Sequence, residues 1–107
     1  MEYIKEYNEY NNRYLDRSEY QSLLGDCSNK LSIFSKKEIN KIHLSIRKNL
    51  HMSTETESCI HIYSNSFTEI IEKIEDEWYL ATHSDVYGDR YYLIDGFDGL
   101  INYIKKI

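Results

Sequence analysis

Four aspartates fall within sixteen residues, SDVYGDRYYLIDGFDG at 84–99, and His83 stands directly before them. Aspartate oxygens are hard donors of the kind that hold divalent cations. His83, two residues from Asp85, makes a close pair of the type that exchanges protons. A small metal-dependent or acid/base centre at His83, Asp85, Asp89 and Asp95 is therefore the first chemistry to weigh. A calcium loop of the EF-hand type needs oxygens at alternate positions, a Gly at the sixth and a Glu at the twelfth. Counted from Asp85, those two places are Arg90 and Gly96; counted from Asp95, the third is Phe97. The aspartates read better as turn and helix-start chemistry. Asp85 and Asp89 flank a turn in which Gly88 is free to take a positive φ, Asp95 is the expected N-cap of a last helix, and Asp98 complements that helix's dipole. The expectation is of no catalytic residue, no metal ligand set and no cofactor.

The remaining reactive side chains are scattered. Cys27 and Cys59 lie outside any CxxC spacing and are too few for an all-thiolate zinc site, while His43, His51, His61 and His83 form no HxxxH pattern. Cys59 and His61 alternate along one expected strand, but no orienting group accompanies them. No GxSxG, Walker or GxGxxG motif is present. With no export signal at the N-terminus and no apolar run near the roughly 18 residues of a membrane span, two reduced thiols in an intracellular compartment are expected.

A length of 107 residues fits one domain with a single core. Ala and Val occur once each and Pro never, whereas Ile, Asn, Lys and Tyr dominate, a codon signature of an AT-rich genome. The net charge of −5 hides a division: residues 27–52 hold six bases and one acid, and residues 53–107 hold eleven acids and four bases. The basic stretch can meet a polyanion or its own acidic neighbours.

These residues must be positioned by a small set of elements. Tyr3, Tyr7, Tyr10 and Tyr14 recur at helical spacing and predict an N-terminal helix with one aromatic stripe. Asp16 or Ser18 restarts a helix that Gly25 ends, so that residues 1–25 form a docked helical arm. FSKKEINKIHLSIRKNL (34–50) is the clearest helix. Ser35 and Glu38 form a capping box, Phe34 and Ile39 a hydrophobic staple, and Ile39, Ile42, Ile46 and Leu50 one stripe that Leu44 alone breaks. Lys36, Lys37, Lys41, Arg47 and Lys48 then project from the other faces. MSTETES (52–58) reads as a polar linker and CIHIYS (59–64) as a short strand. Residues 67–74 and 78–83 read as paired strands turning at 75–77, followed by a strand at 90–94. DGFDGLINYIKKI closes the chain as an amphipathic helix burying Phe97, Leu100, Ile101 and Ile104. The fold class is α+β: N-terminal helices, an antiparallel meander of three to four strands, and a C-terminal helix packed on the sheet.

Over about the last 40 residues, the acidic turn entering EWYL and the run YYLIDGFDGL (Trp78, Tyr91, Tyr92, Asp95, Gly99, Leu100) resemble short uncharacterised proteins of large AT-rich DNA viruses such as mimivirus relatives. The order of helix, Trp-bearing meander and final helix also loosely resembles frataxin, in architecture alone. The viral resemblance implies an accessory or virion-associated role and brings no activity to carry over. Three function classes follow. The first is a non-enzymatic protein-interaction module using Tyr3, Tyr7, Tyr10 and Tyr14, with a protein partner or a second copy of the chain. The second is a nucleic-acid binder using Lys36, Lys37, Lys41, Arg47 and Lys48. The third is the metal-dependent enzyme weighed above.

Overall fold

The computed structural model describes residues 12–27, 32–75 and 77–107. Along them run β1 (Asn12–Leu15), α1 (Arg17–Cys27), α2 (Lys36–Ser45), β2 (His51–Thr56), β3 (Cys59–Tyr63), β4 (Thr68–Ile74), β5 (Trp78–Asp85), β6 (Gly88–Asp95) and α3 (Phe97–Lys106). The fold is α+β. All strands pair antiparallel in the order β1-β6-β5-β4-β3-β2. Strands β2 to β6 form a meander, and β1 adds to its far edge.

Local sequence explains most of these elements. The capping box of α2 closes with both bonds, Ser35 Oγ accepting from the Glu38 N–H and Glu38 Oε1 accepting from the Ser35 N–H. Asp16 and Glu19 make the same reciprocal pair at the start of α1, at 2.8 and 3.2 Å. The alternation of β5 sends Tyr79 and Ala81 to one side and Trp78 and Leu80 to the other. One side is covered by α2 and α3, which bury Ile42, Leu100 and Ile104 against Ile60, Ile71 and Ile94. The other side receives α1, where Tyr20, Leu23 and Leu24 pack on Leu15, Leu80 and Leu93. Leu44, the break in the α2 stripe, is 82% exposed.

Several expectations fail, each for a physical reason. The sheet has six strands, not three or four. HMSTET forms β2 rather than a linker: Met52 stands opposite Ile62 of β3, and the polar residues suit a strand at the edge of the sheet among the described residues. The tyrosine stripe does not extend as a helix to Tyr14, because Leu15 is fully buried through β1 pairing with Tyr91–Ile94; Tyr3, Tyr7 and Tyr10 lie outside the described residues. The helical arm expected over 1–25 is therefore, within its described part, a strand followed by α1. Gly25 sits inside α1, not at its end. Helix α2 stops at Ser45, where Ile46 turns extended (φ −73°, ψ 151°), so that the buried Leu50 can lead into β2. Asp95 stays in β6 opposite Trp78, and the N-cap of α3 is Gly96 at φ +81°, a backbone angle glycine adopts without strain. No helix among the described residues is long and apolar enough to cross a membrane.

Candidate functional site

Strand β4, TEIIEKI, turns Glu69, Ile71 and Lys73 toward the helices. Two of these three inward positions are charged, and each is the centre of a network. At one end, Lys73 Nζ lies 2.8 Å from Glu38 Oε1 and donates to the Ile33 carbonyl, while the Tyr79 hydroxyl donates to Glu38 Oε2 at 2.9 Å. Burial alone would raise the Glu38 carboxyl, but the Lys73 ammonium, the Ser35 N–H and the Tyr79 hydroxyl together hold it below the usual carboxylate range.

At the other end sits Glu69, with 0% of its surface exposed. The register places Glu69, His83 and Arg90 directly across from one another on β4, β5 and β6. His83 Nδ1 is 2.7 Å from Glu69 Oε2, and the Tyr103 hydroxyl from α3 donates to Glu69 Oε1. His83 Nε2 is 3.2 Å from Asp85 Oδ2, which also accepts from Arg90 Nη2 at 2.6 Å. Asp85 Oδ1 accepts the Tyr87 N–H at 2.9 Å, an Asx-turn that fixes the β5–β6 turn. The Phe67 ring stacks on the imidazole with centroids 5.0 Å apart. Burial pushes the Glu69 carboxyl up, and the hydrogen bond to Glu69 pushes the His83 imidazole up. The Tyr87 N–H, followed by His83 and Arg90, holds Asp85 down. Burial raises Tyr103 well above the ordinary phenol value.

Chemically, this is a hydrogen-bonded line from a dry carboxylate through an imidazole to a hairpin tip. Glu69 has no open face toward solvent, so it cannot take a proton directly from a bound molecule. The line ends at Val86 and Tyr87, which are 89% and 91% exposed. They occupy the turn that Gly88 closes at φ +106°.

The four aspartates divide. Asp85 joins the His83 network, as the His83–Asp85 spacing anticipated. Asp89 stands exposed opposite Ser84, and Asp95 lies at the other end of the β5–β6 hairpin, opposite Trp78. Asp98 is exposed in the first turn of α3. Among the described residues, no three or more His, Cys, Asp or Glu side chains are grouped to hold a metal ion. Cys59 and His61 do share a strand face, but burial, then Glu72 and Glu55, push the Cys59 thiol up to about 11, which keeps it protonated at neutral pH.

Lys36, Lys37 and Lys41 are exposed on α2, and Lys37 and Lys41 border a shallow cleft with Tyr79 and Phe97. Arg47 and Lys48 are exposed beyond the helix end, so the helical period does not align them with the other three. Tyr14, on β1, is 59% exposed and meets Tyr92 edge-on at 5.8 Å. Sequence reasoning missed Glu69, Tyr103 and the bare Val86–Tyr87 tip. The first was signalled by a charge at an inward strand position, and the last by a β-branched residue within a turn. Comparison with family models, with curated proteins and with solved structures finds no match to the chain.

Proposed function

We propose that the chain is a small non-enzymatic protein-interaction module whose β5–β6 tip inserts Val86 and Tyr87 into an apolar pocket of a partner protein. The observation that carries this reading is the pairing of near-complete exposure with a pinned backbone. Val86 and Tyr87 are 89% and 91% exposed, yet Asp85 accepts the Tyr87 N–H and is itself tied to Arg90. Turns of this kind favour Asn, Asp, Ser and Gly. A Val–Tyr pair there defies local preference with no gain in the fold, and such departures gather at functional sites. A rigid, exposed tyrosine is also a frequent interface anchor, because it buries much surface for little lost freedom.

Charge narrows the partner. Asp89 is exposed beside the tip while the neighbouring Arg90 is paired with Asp85, and residues 53–107 carry eleven acids against four bases. The complementary pocket therefore has a basic rim. Tyr14, exposed on β1 opposite Tyr92, keeps one member of the tyrosine set at the surface. The viral resemblance of the C-terminal residues supports an accessory or virion-associated role for the module.

The test replaces Tyr87 with a photo-crosslinking phenylalanine analogue to identify the partner, then compares recovery of that partner, without crosslinking, by the wild type and by a Val86→Ser/Tyr87→Ser variant of unchanged circular dichroism. The expected result is one crosslinked protein partner whose recovery falls at least about tenfold in the variant, the scale of a lost anchor. Equal recovery removes the reading, and a crosslink only to a second copy of the chain replaces it with self-association. A second reading, nucleic-acid binding, is favoured by the exposure of Lys36, Lys37 and Lys41 on one helix. A gel shift at low salt that weakens as salt rises would support it.

A further inference from the structure

We infer that the protonation state of His83 sets the shape of the Val86–Tyr87 tip, so that docking through it is proton-linked; the inference rests on the interaction reading above only for the word docking. Both ring nitrogens of His83 face carboxylate oxygens, Nδ1 at 2.7 Å from Glu69 and Nε2 at 3.2 Å from Asp85. A neutral imidazole carries one N–H and can satisfy only one of them. Only the imidazolium donates to both at once.

The charged groups acting on the ring are Glu69 from β4, Asp85 from its own strand and Arg90 from β6; behind Glu69, Tyr103 of α3 donates to its carboxylate and packs on Tyr92 of β6. The two carboxylates favour the imidazolium, and Arg90 opposes it. The ring is also shielded, stacked under Phe67 with 17% of its side chain exposed.

When the imidazolium loses a proton, one N–H remains for two gaps. The gap to Glu69 is shorter and wholly dry, and an unsatisfied group there costs more than one at the rim. The remaining proton therefore stays between Nδ1 and Glu69. Nε2 then presents a lone pair to Asp85 Oδ2, two acceptors face each other, and Asp85 shifts from the ring toward Arg90, from whose Nη2 the same oxygen already accepts at 2.6 Å. The other oxygen of that carboxylate is the acceptor for the Tyr87 N–H. Losing it frees the turn that carries Val86 and Tyr87. Below the folded pKa of His83 the tip is pinned and presented; above it the tip is loose, and binding must bear the added cost of ordering it.

Nuclear magnetic resonance on the isotopically labelled chain alone, from pH 5 to pH 9, tests the link without a partner. Both His83 ring nitrogens should be protonated at the acid end, and the ring should titrate above its ordinary 6.5. The Tyr87 amide resonance should move with the same midpoint. Its hydrogen exchange, corrected for hydroxide, should rise about tenfold across that midpoint, the scale of one hydrogen bond lost. Asp85→Asn, a rim substitution, should leave His83 titrating while the step at Tyr87 disappears; His83→Gln should also abolish the step. A Tyr87 amide that stays flat while His83 titrates, or a His83 ring neutral at pH 5.5, overturns the inference. These outcomes are independent of the crosslinking result. A moving Tyr87 amide with unchanged partner capture in Val86→Ser/Tyr87→Ser leaves the proton link standing and removes docking, and the converse removes the link alone.

Discussion

Glu38 and Glu69 are two answers to the same structural problem. Each carboxylate lies on the side of the sheet that α2 and α3 cover, each accepts a tyrosine hydroxyl, and each meets one cationic side chain. They differ in the cation and in water. Glu38 sits at a helix start with its side chain 16% exposed and pairs with Lys73, while Glu69 is fully enclosed and pairs with His83. A lysine beside a carboxylate stays charged over the whole neutral range, so the first network has one state. A histidine changes charge near neutrality, so the second has two. The lesson is that burial and partner choice together decide whether an inward charge is a rivet or a switch.

The sharpest way to break this comparison is to delete each carboxylate. Glu69→Ala strands a buried imidazole and a buried hydroxyl together, and should lower the unfolding free energy by about 3–5 kcal/mol. Glu38→Ala leaves Lys73 and Tyr79 nearer to solvent and should cost about 1.5–3 kcal/mol. Urea denaturation at pH 6 measures both. Equal losses would mean that the enclosed and the rim carboxylate do the same work, and the distinction would fall.

The Glu–His half of the comparison was within reach of the sequence. Pairing residues 67–74 with 78–83 about a turn at 75–77 sets Ile74 against Trp78, and counting outward from there sets Glu69 against His83. The capping boxes at Ser35 and Asp16 were readable because their signals are local, three residues from end to end. Tyr103 was not readable as a partner of Glu69, since that contact depends on the rotation of α3 about its own axis. Nor was β2, where no residue is fully buried, so that no core face imposes apolar alternation on HMSTET. Tyr14 misled for the opposite reason: a helical spacing that included the tyrosines at 3, 7 and 10 was stronger on paper than one buried leucine at position 15. The Val86–Tyr87 tip was visible only as a turn, because exposure is a property of the whole surface.

The two networks should also oppose each other in pH. Glu38 is held below its ordinary 4.5, so its contribution is whole above that value and is lost as pH falls through the folded pKa. His83 is raised above 6.5, so its contribution is whole below that value and is lost as pH rises through the folded pKa. Glu69, raised by burial, carries the same sign as His83, favouring the fold below 4.5 and less so as it ionises. Stability should therefore peak between about pH 4.5 and 6.5. Urea midpoints from pH 3 to pH 9 should show His83→Gln flattening the alkaline flank and Glu38→Gln flattening the acid one. A flank above pH 6.5 as steep in His83→Gln as in the wild type assigns it to Glu69 alone and weakens the case for a switch.

The smallest effect probes how the rivet is aimed. Ser35 contributes nothing to the charge of the first network, but its side chain accepts the Glu38 N–H and its own N–H donates to Glu38 Oε1. The same Oε1 is the atom Lys73 approaches at 2.8 Å. Ser35→Ala keeps the second of these bonds and deletes the first, so it removes an N-cap worth about 1 kcal/mol while leaving the carboxylate present. If the cap also orients Glu38, the substitution weakens its coupling to Lys73, and a double-mutant cycle of Ser35→Ala with Lys73→Met gives a non-zero interaction term. If the cap serves only the helix, the two losses add, and Glu38 finds Lys73 without help from the backbone that carries it. Glu69, the second residue of β4, has its direction set by the sheet rather than by a helix cap. The cycle thus asks whether a rivet at a helix start needs local aiming that a switch built into a strand does not.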